Sequence, residues 1–119
     1  MFGIIWKNLS QISMSQLSFN EQCYDLLKQV PRGKVTTYKE LAEALNTKAY
    51  RAVGNAMNKN PYAPSVPCHR VINSNGSIGG FAFGTKKKIK MLKSEGIKIK
   101  NGIIDEFNCR LFKFSKRKL

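Results

Sequence analysis

A cysteine, a histidine and an arginine stand side by side at Cys68, His69 and Arg70, directly after Pro67. A cysteine thiol ordinarily has a pKa of about 8.5, so only a small fraction is the nucleophilic thiolate at neutral pH. A neighbouring base or cation raises that fraction, and His69 and Arg70 are the local candidates. The tripeptide is therefore either a reactive cysteine with its activating groups or three unrelated residues at a strand edge.

The local geometry works against direct contact between the thiol and the imidazole. Val71 and Ile72 follow as a short strand, and adjacent side chains of an extended strand point to opposite faces. We therefore expect Cys68 and His69 to meet through a turn or a bridging water. A histidine base also needs a carboxylate behind it, and the chain has only seven Asp and Glu residues.

The composition narrows the class of protein. A chain of 119 residues with 42% hydrophobic residues fits one folded domain with a modest core. Its net charge of +14 favours a polyanionic partner, nucleic acid ahead of a ribosomal or membrane surface. The apolar opening at Phe2–Trp6 is too short for a signal peptide or a membrane span, so we expect an intracellular protein without a membrane partner.

The cysteine pattern argues against disulfides and zinc. Cys23, Cys68 and Cys109 are widely spaced and form no CxxC pair, which favours a reducing compartment. Neither Cys23 nor Cys109 lies near a second potential ligand, so we predict no metal site. Leu27 and Val30 follow Cys23 at helical spacing, which predicts that Cys23 is a small core residue.

The elements that must position Cys68 are mainly helical. Two capping boxes, Ser18–Glu21 and Thr37–Glu40, predict the starts of two helices, with a short β-prone segment between them. The first helix is expected to end at Pro31–Gly33 and the second at Asn46–Thr47. A stiff segment with three prolines, Asn60–Pro67, then leads to Cys68.

A third helix follows the break at Asn46–Thr47 and has two contrasting faces. Its packing face is small and apolar: Ala49, Ala52, Val53, Ala56 and Met57. Its free face is basic and polar: Lys48, Arg51, Asn55, Asn58 and Lys59. The pair of helices is therefore either a DNA-binding helix-turn-helix or an ordinary helical hairpin with solvated charges.

The segment downstream of Cys68 predicts one more helix and a hairpin. Thr85 is expected to cap a helix over Lys86–Glu95, which Gly96 ends in left-handed geometry. The lysines of its first turn, Lys86–Lys88, oppose the helix dipole, so they face either solvent or phosphate. Asn101–Gly102 is a hairpin signal between two apolar runs, and the rest of 97–119 is expected to be strand and basic tail.

Several ordered motifs across nearly two-thirds of the chain resemble one family. They are Thr37-Tyr38, Arg51-Ala52-Val53-Gly54, Asn60-Pro61, Pro67-Cys68-His69-Arg70-Val71, Gly79-Gly80-Phe81 and Ser94-Glu95-Gly96. Together they are similar to the O6-alkylguanine-DNA alkyltransferase family. The resemblance implies a mainly α domain with short strands (α+β), a winged-helix-like helix-turn-helix and no cofactor. It also implies a short segment at 1–18 where the family carries a larger α/β domain, before a DNA-binding and alkyl-acceptor domain at 19–119 with a basic C-terminal extension.

The resemblance assigns the chemistry of a methylated-DNA–protein-cysteine methyltransferase that acts once. Cys68 would accept the alkyl group of O6-alkylguanine irreversibly. His69 would draw the thiol proton through a water, and Glu95 would orient and stabilise the charged His69. Asn60 would hold the turn that carries the active-site segment.

The resemblance also assigns the contacts to double-stranded DNA. Tyr38 would push on the target phosphate and donate to the base as it leaves the stack. Arg51 would occupy the vacated space, with Asn55 and Lys48 beside it. Removing the base from the stack is required because O6 cannot be reached inside the duplex. The substrate pocket would be formed by Val71, Phe81, Ala82 and Gly84, with Ala82 where the family commonly has serine.

Two rival functions stay open at this point. An alkyltransferase-like protein binds and flips alkylated guanine without repairing it, and Cys68 argues against it because another residue, often tryptophan, stands there in that group. A small DNA-binding protein with an inert cysteine explains the charge but not the ordered motifs. We expect a monomer associated with DNA, in the nucleus of a eukaryote or otherwise in the cytoplasm.

Overall fold

The computed structural model describes residues 17–114. The apolar opening at Phe2–Trp6 and the basic end at Lys116–Lys118 lie outside the described residues. Within them the elements are α1 (Phe19–Leu27), β1 (Thr36–Thr37), α2 (Tyr38–Ala44), α3 (Tyr50–Asn58), β2 (Val71–Ile72), α4 (Thr85–Ser94), β3 (Ile99–Lys100), β4 (Ile103–Ile104) and α5 (Phe107–Arg110). The expected mainly α architecture with short strands is confirmed.

The first helix begins as the sequence predicts. Ser18 Oγ accepts from the Glu21 N–H at 3.2 Å, and Glu21 Oε1 accepts from the Ser18 N–H at 3.0 Å. At α2 the Thr37 hydroxyl likewise accepts from the Glu40 N–H at 3.0 Å. These bonds satisfy amides that the first turn of a helix leaves without partners.

Helices α2 and α3 form the predicted helix-turn-helix. The chain reverses at Asn46, which has a left-handed φ of 57°. Val53 and Ala56 of α3 are fully buried, and the Tyr24 hydroxyl on α1 donates to the Ala56 carbonyl at 2.8 Å. Ala49 is predicted on this packing face, but it is the exposed N-cap residue before the first turn of α3 and so lies outside the helical periodicity.

A small parallel sheet separates two hydrophobic clusters. Thr36 pairs with Val71 and Thr37 with Ile72, so β1 runs into α2 beside the segment that follows Cys68. Val71 belongs to the cluster of α1, α2 and α3, whereas Ile72 belongs to the cluster with Leu92 and Ile104 because alternate strand residues face opposite sides. The sheet thereby places the start of α2 next to the cysteine.

Helix α4 starts differently from the prediction. Its N-cap is Gly84, not Thr85, and no side chain caps the helix. Gly84 has a φ of 96°, a backbone conformation that a residue without Cβ adopts without strain. Gly96 ends the helix region with a φ of 86°, as the sequence predicts.

The C-terminal segment is more structured than the expected strand and tail. Strands β3 and β4 pair in an antiparallel hairpin around Asn101–Gly102, as predicted. The one-turn helix α5 was not predicted because four residues show no readable periodicity. After it, the Phe112 N–H donates to the Val35 carbonyl at 2.7 Å, and Leu111 forms a parallel bridge with Val35. The segment therefore covers an edge of β1.

Candidate active site and DNA-binding face

The reactive tripeptide lies in a turn and not on a strand. Cys68–Arg70 form a single 3₁₀ turn before β2, which corrects the extended geometry expected for Cys68 and His69. The Cys68 N–H donates to the Val66 carbonyl and the Arg70 N–H to the Pro67 carbonyl, both at 2.9 Å. A 3₁₀ turn has about three residues per turn, so adjacent side chains do not point to opposite faces. Cys68 and His69 are both buried.

Asn60 joins the two ends of the segment that leads into this turn. Its Nδ2 donates to the Val66 carbonyl at 2.8 Å, and its Oδ1 accepts from the Tyr62 N–H at 2.9 Å. The Val66 carbonyl therefore receives both the Asn60 side chain and the Cys68 amide. This arrangement fixes the backbone immediately before the thiol.

Glu95 stands behind the imidazole. Its Oε2 lies 2.8 Å from His69 Nε2, although the two residues are 26 positions apart. Arg70 holds the same carboxylate with two bonds, from Nε to Oε1 at 3.0 Å and from Nη2 to Oε2 at 2.8 Å. A third bond, from Arg70 Nη1 to the Val30 carbonyl at 2.8 Å, ties the guanidinium to the turn that follows α1. We call Cys68, His69, Arg70 and Glu95 the acceptor network.

The electrostatics of this network favour a neutral imidazole. Burial lowers the pKa of His69 below 6.5, although Glu95 opposes that effect. Burial also disfavours the Glu95 anion, but the hydrogen bonds from Arg70 and His69 outweigh it and lower the pKa of Glu95. An ionised carboxylate only accepts, so Nε2 of the neutral ring carries the proton. Nδ1 is then free of a proton and can act as a base.

Arg70 is a site residue that sequence reasoning set aside. The sequence makes Arg70 a candidate activator of the Cys68 thiol, as an alternative to His69. In the structure its guanidinium instead binds Glu95 and holds the carboxylate against His69. The sequence signal for this role is the position of Arg70 directly after His69. On one 3₁₀ turn, two neighbouring side chains can reach the same distant carboxylate.

Lys88 is the second unforeseen residue near the site. The sequence placed it with Lys86 and Lys87 towards solvent or phosphate, but Lys88 is fully buried. Its ammonium donates to the carbonyls of Val71 at 2.7 Å, Ile78 at 2.6 Å and Gly80 at 3.0 Å. Burial lowers its pKa to about 8. Lys88 thus connects α4 to β2, which contains Val71, and to the loop that contains Ile78 and Gly80.

A cavity of about 290 Å³ opens at the thiol. We call it the acceptor cavity; its lining residues are Ala63, Pro64, Cys68, His69, Phe81, Phe83, Lys87 and Met91. Of the four predicted pocket residues, Phe81 lines it. Val71 is buried behind the turn, and Ala82 and Gly84 are exposed outside the lining.

Tyr38 and Arg51 line a second, open cleft of about 790 Å³. The turn at Asn73–Asn75 also lines this cleft, as do Lys39, Tyr50 and Gly54. Tyr38 also packs against the hydrophobic cluster that contains Cys68, so it lies between the cleft and the 3₁₀ turn at Cys68–Arg70. Burial raises the pKa of Tyr38, so its hydroxyl keeps its proton at neutral pH.

The basic face of the helix-turn-helix is open to solvent. Lys48, Arg51 and Asn55 are exposed, and within residues 17–114 the Arg51 guanidinium has no hydrogen-bond partner. We call these three side chains the DNA face. Unpaired cations on a helix are available to phosphates and to the stack of a nucleic acid.

Three further observations concern Cys23, metal binding and membrane-spanning helices. Cys23 is fully buried, and burial raises the pKa of its thiol to about 11, as befits a core residue. Across residues 17–114, no three His, Cys, Asp or Glu side chains cluster closely enough to hold a metal ion. None of the helices in that range is long and apolar enough to cross a membrane.

Comparison with known proteins identifies the domain. Residues 18–97 match the sequence family described as 6-O-methylguanine DNA methyltransferase, DNA binding domain. The chain is 40% identical over 100 residues to a methylated-DNA–protein-cysteine methyltransferase of Candida glabrata, covering 83% of this chain and 48% of the relative. It is 44% identical over 88 residues to the one from Saccharolobus solfataricus, covering 74% and 57%. The chain thus spans about half the length of these curated relatives.

Solved structures agree with these matches. The O6-methylguanine-DNA methyltransferase of Pyrococcus kodakaraensis superposes with a TM-score of 0.62 at 48% identity, over 68% of this chain and 47% of that chain. S. pombe Atl1, solved with damaged DNA containing O6-carboxymethylguanine, gives a TM-score of 0.68 at 33% identity. That match covers 80% of this chain and 94% of Atl1.

Proposed function

Because the chain belongs to the 6-O-methylguanine DNA methyltransferase family, through the DNA-binding domain of that family, we propose that it repairs O6-alkylguanine in duplex DNA by moving the alkyl group to Cys68. The observation that supports this most is the acceptor network beside an open cavity. A thiol, a neutral imidazole and an ionised carboxylate are the parts that an activated cysteine nucleophile needs. Residues 19–114 supply all of them.

The transfer is a single displacement. His69 Nδ1 takes the Cys68 proton, directly or through a water, and the Nε2–H bond to Glu95 stabilises the imidazolium that forms. The sulfur then forms a bond to the alkyl carbon while the carbon–O6 bond breaks and its electron pair returns to the guanine ring. The proton lost by the thiol ends on guanine, which leaves in its ordinary form. Nothing reverses the thioether, so each molecule reacts once.

The DNA face and the open cleft suit the earlier step of base extraction. Arg51 can fill the space that a flipped base leaves, and the small face of α3 allows close approach in a narrow groove. Tyr38 keeps its proton and lies between the cleft and Cys68, so it can donate to the base on its way to the cavity. Lys48 and Asn55 add backbone contacts. We propose that the protein acts as a DNA-associated monomer and needs no cofactor for this step.

The second candidate is recognition of damage without repair. It is favoured by the match to 94% of S. pombe Atl1, which was solved with damaged DNA. Both candidates predict binding to alkylated duplex, so binding cannot separate them. Alkylation of Cys68 distinguishes repair from recognition without repair.

The decisive experiment is incubation with an equimolar duplex containing O6-methylguanine, followed by peptide mass mapping. We expect one added methyl group, on the peptide that contains Cys68, and none on peptides with Cys23 or Cys109. Cys68→Ala should abolish the modification and keep duplex binding. The matched variant Cys109→Ala should react like the parent chain. An unmodified Cys68 after full binding would support the recognition-only candidate.

A further inference from the structure

The acceptor cavity has one feature that methyl transfer does not use. Its wall is apolar at Ala63, Pro64, Phe81, Phe83 and Met91, yet Lys87 also lines it. Of the described residues that line the cavity, none is acidic. A methyl group offers a cation nothing to bind, so Lys87 has no part in the transfer described above.

Lys87 is an exposed residue, but its ammonium lies against an aromatic ring of the cavity wall. Its Nζ lies 5.2 Å from the centre of the Phe83 ring, a cation–π distance. The Phe83 ring in turn packs edge-on against Phe81, with 5.4 Å between the ring centres. The aromatic pair therefore keeps an ammonium beside the space where the alkyl group must lie.

The other lysines of α4 behave differently. Lys88 is buried and fully bonded to backbone carbonyls, so its charge is already satisfied. Lys86, Lys87, Lys90 and Lys93 are all exposed, but of these four only Lys87 lines the cavity. Lys87 is thus the lysine of this helix whose charge faces the substrate space.

We propose that Lys87 selects O6-alkyl groups that carry a negative charge, such as a carboxymethyl group, over neutral groups of the same size. This inference rests on the proposed transfer to Cys68. A carboxylate on the adduct and the Lys87 ammonium carry opposite charges and attract each other across the cavity, with water screening part of the attraction because Lys87 and Phe83 are exposed. The bond changes are unaltered: the sulfur attacks the CH₂ carbon and the guanine O6 leaves, while the carboxylate stays on the transferred group.

A matched pair of adducts tests the proposal. Single-turnover transfer is measured from duplexes that contain O6-carboxymethylguanine or its neutral amide analogue, O6-carbamoylmethylguanine. We expect Lys87→Met to lower the rate ratio of the acid to the amide by about threefold, the size typical of an ion pair with an exposed lysine, with the amide rate unchanged. Lys90→Met, on the exposed side of the same helix, should leave the ratio as it is. Lys87→Glu should reverse the preference.

Two results would overturn the inference. An unchanged ratio in Lys87→Met means that the charge does not act on the adduct. An equal loss with both adducts means that Lys87 binds a DNA phosphate instead. The affinities for the two duplexes can also be measured in the Cys68→Ala protein, which cannot accept the alkyl group, with and without Lys87→Met. The ratio of these affinities reports the charge preference independently of transfer. Failure of transfer by the parent chain would thus refute the proposed function, and the affinity ratio would still decide the role of Lys87.

Discussion

The acceptor network and the DNA face lie on either side of Tyr38 and are built in opposite ways. In the network the His69 and Arg70 side chains both bond to the Glu95 carboxylate, and His69 and Cys68 are buried. On the DNA face the side chains are exposed, and within residues 17–114 Arg51 has no hydrogen-bond partner. A bonded network fixes one geometry before the substrate arrives, which is what preorganised catalysis requires. An open basic face keeps its charges available for a partner.

This contrast implies that the two regions can be tested separately. A change in the acceptor network should slow transfer from any substrate. A change on the DNA face should slow transfer from duplex only. If the proposed transfer holds, we expect the free base O6-benzylguanine to react without DNA, so comparing it with an alkylated duplex separates the two effects.

The largest effect is expected from Glu95→Gln. The amide keeps the volume but cannot stabilise an imidazolium as a carboxylate does, and base catalysis of this kind contributes on the order of 10²–10⁴ in rate. We expect transfer to fall by about 100-fold with free O6-benzylguanine and with duplex alike. Glu106→Gln, an exposed change away from the network, should have no effect. A loss seen with duplex alone would place Glu95 in DNA binding and break the contrast.

The next effect is expected from Arg51→Ala. Flipping a base costs a few kcal/mol, and losing about 1.4 kcal/mol of the compensation slows duplex transfer by about tenfold. The rate with free O6-benzylguanine should stay within about twofold, since Arg51 lies outside the acceptor cavity. Lys113→Ala removes an exposed charge of the C-terminal segment and serves as the control. Equal losses with both substrates would contradict the role of Arg51 on the DNA face.

These two regions also differ in how far the sequence predicts them. The N-caps at Ser18 and Thr37 and the small face of α3 follow from local spacing, so the pair of helices and its exposed basic side were predictable. Local spacing left open whether that pair is a DNA-binding helix-turn-helix or an ordinary hairpin. The pairing of His69 with Glu95 is a contact across 26 positions, and only the resemblance to a family indicated it. Short-range patterns cannot supply such a contact.

Lys88 shows a further limit of sequence reasoning. A lysine between Lys87 and Ile89 reads as solvated, yet its ammonium is buried among three carbonyls. Its spacing of four residues from buried Leu92 places both on one face of α4, which is the signal that could have indicated burial. The prediction of an exposed Lys88 relies on its charge, whereas the helical periodicity of α4 indicates the buried position that the structure shows.

A smaller effect should appear in the pH dependence of transfer. Protonation removes the His69 base, so the rate falls as pH drops below the pKa of His69, which burial places under 6.5. Glu95 raises that pKa and Arg70 lowers it. Glu95→Gln should therefore move the acid limb to lower pH, and Arg70→Met should move it to higher pH. Rates with free O6-benzylguanine across the acid range measure both limbs, and shifts in the same direction would show that His69 is not the titrating base.

The smallest effect concerns salt. A lysine that contacts phosphate releases about one counterion on binding, so removing it lowers the slope of log affinity against log salt by about one. Lys48→Ala on the DNA face should lower the slope for an unmodified duplex by this amount. Lys100→Ala removes an equally exposed charge from the β3–β4 hairpin and should leave the slope unchanged. If both variants lower it equally, the net charge of +14 attracts DNA as a whole and the DNA face has no separate electrostatic role.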